Sequence, residues 1–116
     1  MKPIRVGLLG LGTVGAGVVR VLQSHREELE EKIGAPLALS AIVDTDCENP
    51  RKGLTLSDLP LTTEPARVLD DPSVDIVVEL IGGLEPARSF ILRALVNGKH
   101  VVTANTALLA TYGNDV

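Results

Sequence analysis

Ile4-Arg5-Val6-Gly7-Leu8-Leu9-Gly10-Leu11-Gly12-Thr13-Val14-Gly15 is an apolar run that ends in G-x-G-x-x-G. A buried strand that opens through glycines at this spacing into a helix is the pattern of a diphosphate seat. Gly10 allows the tight turn out of the strand. Gly12, lacking a Cβ, lets the backbone approach a pyrophosphate, and Gly15 lets the helix pack closely. The diphosphate then rests on the N–H groups and the positive dipole end of that helix. The glycines alone are a weak signal; the strand before them and the amphipathic segment after them supply the context.

Beyond the glycines, Val14, Val18, Val21, Leu22 and Leu29 recur at helical spacing. They predict one helix continuing through Arg26 to Lys32 and stopping near Gly34, ahead of Pro36. The acidic run Glu27-Glu28 and Glu30-Glu31 reads as a solvated face, with Glu28 and Lys32 paired at i,i+4. Leu37 to Val43 reads as a second strand, ended by Asp44-Thr45-Asp46. Cys47 to Pro60 is irregular. Thr63 is expected to cap a short helix that starts at Pro65 and runs to Leu69. Val74 to Ile81 is a third strand closed by Gly82-Gly83. Glu85-Pro86 opens a helix with Phe90, Ile91, Ala94 and Leu95 on one face and a left-handed end at Asn97-Gly98. His100 to Thr103 is a fourth strand, and Ala107 to Ala110 belong to a last helix.

Strands alternating with helices predict an α/β fold: a Rossmann-type doubly wound parallel sheet with helices on both faces. The expected strand order is 3-2-1-4-5, incomplete at its C-terminal end, since only four or five strands fit in 116 residues. With 45% hydrophobic residues, the chain can build one compact core.

Composition narrows the function. The net charge is −4 and the only aromatic residues are Phe90 and Tyr112, so phosphate neutralisation and base stacking on a nucleic acid both lack residues. No apolar stretch approaches the roughly 18 residues that span a bilayer. One cysteine, Cys47, and two separated histidines, His25 and His100, suggest neither a disulfide nor a metal cluster. The expectation is a cytoplasmic protein with no membrane, metal or nucleic-acid partner.

In an open parallel sheet, ligands bind outside the carboxyl ends of the strands, where the strand order reverses. Four segments should meet there: Gly10–Gly15, Asp44–Asp46, Ile81–Gly83 and Thr103–Thr106. Asp44 is the candidate acceptor for the adenosine ribose hydroxyls and would repel a 2′-phosphate, which leans the cofactor toward NAD rather than NADP; the plainer alternative is an aspartate that caps its own turn. Arg51 and Lys52 could meet a 2′-phosphate or be solvated loop cations. Glu79, inside an apolar strand, is expensive unless paired. It reads as a structural acceptor for a neighbouring loop, with a role in lining the site as the alternative. Gly82 could bare the backbone to a ribose, and Thr103 and Asn105 offer short polar groups, Asn105 also as an N-cap.

Together, G-L-G-T-V-G at Gly10–Gly15, V-V-E-L-I-G-G at Val77–Gly83, E-P-A at Glu85–Ala87 and G-K-H-V-V-T-A-N at Gly98–Asn105 resemble homoserine dehydrogenases, in order and spacing, over almost the whole chain. The resemblance implies an NAD(P)-dependent interconversion of L-homoserine and L-aspartate 4-semialdehyde, in threonine and methionine biosynthesis, by a homo-oligomer. It implies that residues 1–116 are a partial NAD(P)-binding domain. The substrate and dimerisation domain, with its acids and catalytic lysine, would lie elsewhere, so no catalytic residue is expected in this chain. It also implies cofactor contacts from Leu11, Thr13 and Val14. One departure stands out. The family motif is T-A-N-K, and this chain carries Thr106 in place of the lysine that reaches the cofactor region.

Overall fold

The computed structural model describes residues 2–103. Five parallel strands form one sheet in the order β3-β2-β1-β4-β5. They are β1 (Ile4–Leu9), β2 (Leu37–Val43), β3 (Leu61–Thr62), β4 (Ile76–Glu79) and β5 (His100–Thr103). Helices α1 (Thr13–Ser24) and α2 (Arg26–Ile33) join β1 to β2, α3 (Ala66–Leu69) joins β3 to β4, and α4 (Ala87–Val96) joins β4 to β5. The expected doubly wound architecture is therefore present. The strand between the second and third expected ones is the two-residue β3, which pairs Leu61 with Ile42 and Thr62 with Val43. The irregular stretch before it contains a 3₁₀ turn, Leu56–Asp58.

Side-chain alternation along the strands builds two cores, one on each face of the sheet. Val6 and Leu8 of β1 and Ile42 of β2 pack with Ala16 and Val19 of α1. Leu9, Ala41, Val43 and Val77 face the other way and pack with Val68 and Leu69 of α3 and Ala94 of α4. Gly7 is part of this second face. A Cβ there would fall 2.7 Å from Val68 Cγ1, so the bare backbone of β1 is what allows the single turn of α3 to seat.

Three expectations about the helices change. The helix after the glycines is broken at His25, whose φ of −119° and ψ of 24° leave the helical region. α1 buries residues against the sheet and α2 buries none. The charged α2 is held instead at the start of β2, where Glu30 Oε2 accepts the Leu37 N–H at 2.5 Å and an Arg26 guanidinium N–H donates to the Leu37 carbonyl at 3.2 Å. Glu28 meets His25 Nδ1 at 3.2 Å. α2 ends at Gly34, which takes the left-handed φ of 80°.

The buried face of α1 is also not the expected one. Gly15, Ala16 and Val19 face the sheet, while Val14 and Val21 are 58% and 50% exposed. The smallest residues admit the closest helix–sheet approach, and they set the rotation of the helix. Finally, Thr63 does not cap α3. No side chain caps that helix, and the hydroxyl that accepts the Glu64 N–H belongs to Thr62, at 3.2 Å. The expected helix at Ala107–Ala110 lies outside the described residues.

Candidate dinucleotide site

The carboxyl ends of β1, β2 and β4 converge around the glycine turn. Gly10 leaves β1 at φ 105° and donates its N–H to the Val43 carbonyl at 2.7 Å. A Cβ on it would lie 3.1 Å from the Leu80 carbonyl carbon. Gly15 is tighter: its Cβ would fall 2.3 Å from the Gly10 carbonyl oxygen. Gly12 differs from both, because nothing lies within 4 Å of the place its Cβ would occupy. Gly12 is the N-cap of α1, and no side chain caps that helix. The first turn of α1 carries no acidic residue. Space above Gly12 and uncapped N–H groups beneath it are what an anionic diphosphate requires.

Asp44 stands beside this turn. Its Oδ2 accepts the Leu11 N–H at 2.6 Å and its Oδ1 accepts the Asp46 N–H at 2.8 Å. The carboxylate therefore caps its own turn, as the plainer reading had it, and also ties that turn to the glycine loop. Arg51 closes the same corner, with an N–H 3.6 Å from Asp44 Oδ1. Asp46 folds the loop behind it, accepting the N–H groups of Glu48 and Asn49 and the Asn49 side-chain amide. The Asn49 backbone N–H leads these donors, which hold the Asp46 carboxyl down from its ordinary 3.8 to about 2.

Two cavities flank the turn and share Gly12 and Asp44. One, of about 540 Å³, is polar: Thr13, Arg20, Asp46, Arg51 and Lys52 line it. The other, of about 370 Å³, is walled by Val43, Pro65, Leu80, Ile81, Pro86 and Phe90, with Gly82 at its border. Sequence reasoning missed the second. Phe90 was legible as part of an apolar helix face, but nothing local places it in one cavity with Pro65.

Thr13 and Val14 are exposed at the start of α1. Leu11 is fully buried in the α1-side core, so its side chain is structural and its backbone is what the turn presents. Glu79 is fully buried; it accepts the Ile81 N–H at 2.6 Å and the Thr103 hydroxyl at 2.6 Å. It is a brace between the ends of β4 and β5, and Thr103 is its partner. Asn105 and Thr106 lie outside the described residues. Among the described residues, no group of His, Cys, Asp or Glu could hold a metal ion, and no helix is long and apolar enough to cross a membrane.

Residues 10–116 match the family profile "Homoserine dehydrogenase, NAD binding domain". The chain belongs to this family. The homoserine dehydrogenase of Bacillus subtilis (strain 168) is 48% identical over 119 aligned residues, which cover 100% of this chain and 27% of that protein. That of Neisseria gonorrhoeae is 42% identical, covering 100% of this chain and 26% of the relative. The crystal structure of a homoserine dehydrogenase from Thiobacillus denitrificans superposes with a TM-score of 0.86 at 53% identity, over 98% of this chain and 26% of that one. A Staphylococcus aureus homoserine dehydrogenase at pH 6.0 gives a TM-score of 0.88 at 37% identity, over 98% of this chain and 29% of that one. The chain therefore spans about a quarter of the length of these homoserine dehydrogenases and corresponds to their NAD-binding portion. A nicotinamide dinucleotide, NAD(P), is the cofactor of this family domain.

Proposed function

We propose that residues 1–116 are the cofactor domain of a longer homo-oligomeric, cytoplasmic enzyme that reduces L-aspartate 4-semialdehyde to L-homoserine. The open space over Gly12, at the uncapped start of α1 and beside Asp44, is the observation that carries this reading. In it, the N–H groups of Gly12, Thr13 and Val14 hold the pyrophosphate. Gly10 and Gly15 keep the turn tight, and Asp44 receives the adenosine ribose. The apolar cavity beside Phe90 suits the flat adenine ring, with Gly82 leaving room at its edge. In the same reading Thr103, Asn105 and Thr106 are further cofactor contacts.

When bound, the nicotinamide supplies the hydride. This chain's residues bind and orient the cofactor; the proton donor and the substrate-binding acids would come from the remainder of the enzyme. NAD is the favoured dinucleotide, because the Asp44 carboxylate disfavours a second anion at the ribose. Arg20 and Lys52 in the polar cavity support NADP as the second reading.

Isothermal titration of the full chain with NAD, NADP and coenzyme A tests the proposal. Saturable NAD binding with no response to coenzyme A is expected. A folded chain that binds neither dinucleotide would refute it.

A further inference from the structure

Arg51 is surrounded by acceptors that belong to the backbone. Its Nε donates to the Leu11 carbonyl at 2.9 Å. One terminal nitrogen donates to the Asn49 carbonyl at 2.6 Å, and the other to the Asp46 carbonyl at 2.5 Å. That last nitrogen also lies 3.6 Å from Asp44 Oδ1, and the Arg51 side chain is only 12% exposed. The peptide units of Leu11 are therefore gripped from both sides: Asp44 takes its N–H and Arg51 takes its carbonyl. Leu11 is the residue between the first two glycines, so the pair fixes the direction in which Gly12 faces the crevice.

We propose that Arg51 is a positioning residue for the diphosphate turn, acting through the Leu11 carbonyl and the Asp44 carboxylate, and is not itself a ligand for a ribose phosphate. The proposal rests on the cofactor reading above. It explains why a cation so near the ribose acceptor need not select NADP: three of its five donors already serve carbonyls, and little of the side chain faces solvent. A planar five-donor fork satisfies these acceptors at once, whereas a lysine ammonium in the same place reaches one or two.

The test is Arg51→Gln and Arg51→Lys in the full chain, titrated with NAD, NADP and AMP, with the Leu11 amide followed by nitrogen–proton correlation NMR. Arg51→Gln should weaken all three ligands by a similar factor, about tenfold, the usual scale for losing a charge-assisted hydrogen bond. Arg51→Lys should recover only part of the loss. The Leu11 amide resonance should move in both variants before any ligand is added, and in an Asp44→Asn background the Arg51→Gln effect should shrink, because the two act on one turn.

Loss confined to NADP would overturn the proposal and make Arg51 a phosphate ligand. An unmoved Leu11 resonance would also overturn it, whatever the change in melting temperature. If Arg51→Gln does not fold, Arg51→Lys carries the same comparison. A wild-type chain that binds no dinucleotide, while its Leu11 resonance still responds to Arg51, would refute the cofactor reading and leave the clamp standing.

Discussion

Asp44 Oδ2 and the Leu11 N–H meet at 2.6 Å across 33 positions of sequence, tying the end of β2 to the middle of the glycine turn. One carboxylate thus shapes the turn and, in the proposed reading, also receives the ribose. Asp44→Ala should lose stability by about 1–3 kcal/mol, since a buried donor loses its acceptor, and should weaken NAD binding at the same time. Urea unfolding and calorimetry on the same preparation check both. Lost stability with unchanged NAD affinity would reduce Asp44 to a cap.

Gly12 and Gly15 should separate cleanly under alanine substitution. Gly12 has an extended backbone, with φ −82° and ψ −155°, and open space around it. Gly12→Ala should therefore keep or gain up to about 1 kcal/mol of stability through a less flexible unfolded chain, while NAD binding falls at least about tenfold as the methyl enters the crevice. Gly15→Ala should instead destabilise by about 1–3 kcal/mol, as an overpacked contact does. Thermal melts with and without NAD distinguish the two.

Glu79 should prove structural. Glu79→Ala removes the acceptor of the Ile81 N–H and of the Thr103 hydroxyl, an expected loss of about 2–4 kcal/mol. Glu79→Gln keeps an oxygen for Ile81 and offers an amide to Thr103, and should lose less. Denaturant midpoints order the three proteins; equal midpoints for Glu79→Ala and wild type would contradict the brace.

Asp46 carries an acid dependence whose sign follows from its lowered pKa. The folded carboxyl titrates near 2 rather than at its ordinary 3.8. Its contribution is complete above about pH 4 and is lost as the pH falls through 2. Stability measured between pH 5 and 2 should fall less steeply in Asp46→Asn than in wild type, and identical slopes would count against the loop geometry. The Asp70 carboxyl, held low chiefly by its hydrogen bond from Arg93, and Asp71, held low by the Ser73 hydroxyl, share the direction.

Three strands were legible residue for residue: Ile4–Leu9, Leu37–Val43 and His100–Thr103. Parallel strands read as unbroken apolar runs, with sharp ends where polar or glycine residues begin. The strand expected over Val74–Ile81 is shorter, Ile76–Glu79. Val74 is buried but precedes the ladder, which reaches only as far as β1 pairs, from Val6 to Leu9. β3 has two residues, too few to show a period. The helix break at His25 falls where the sequence has no glycine or proline to mark it, and it accompanies the contacts of Arg26 and Glu30 with Leu37 at the start of β2. At the site, the glycines and Asp44 announce themselves by residue type and spacing. The Arg51 clamp does not, because its acceptors are carbonyl oxygens that every residue possesses.

Position 7 and position 68 share one methyl-sized volume. β1 yields it by having no side chain at Gly7, and Val68 fills it from 2.7 Å away. Gly7 cannot gain a side chain while Val68 keeps its own. An enlargement of Gly7 has to be answered by a reduction at Val68, such as to alanine, so the two positions should covary among relatives although 61 residues separate them.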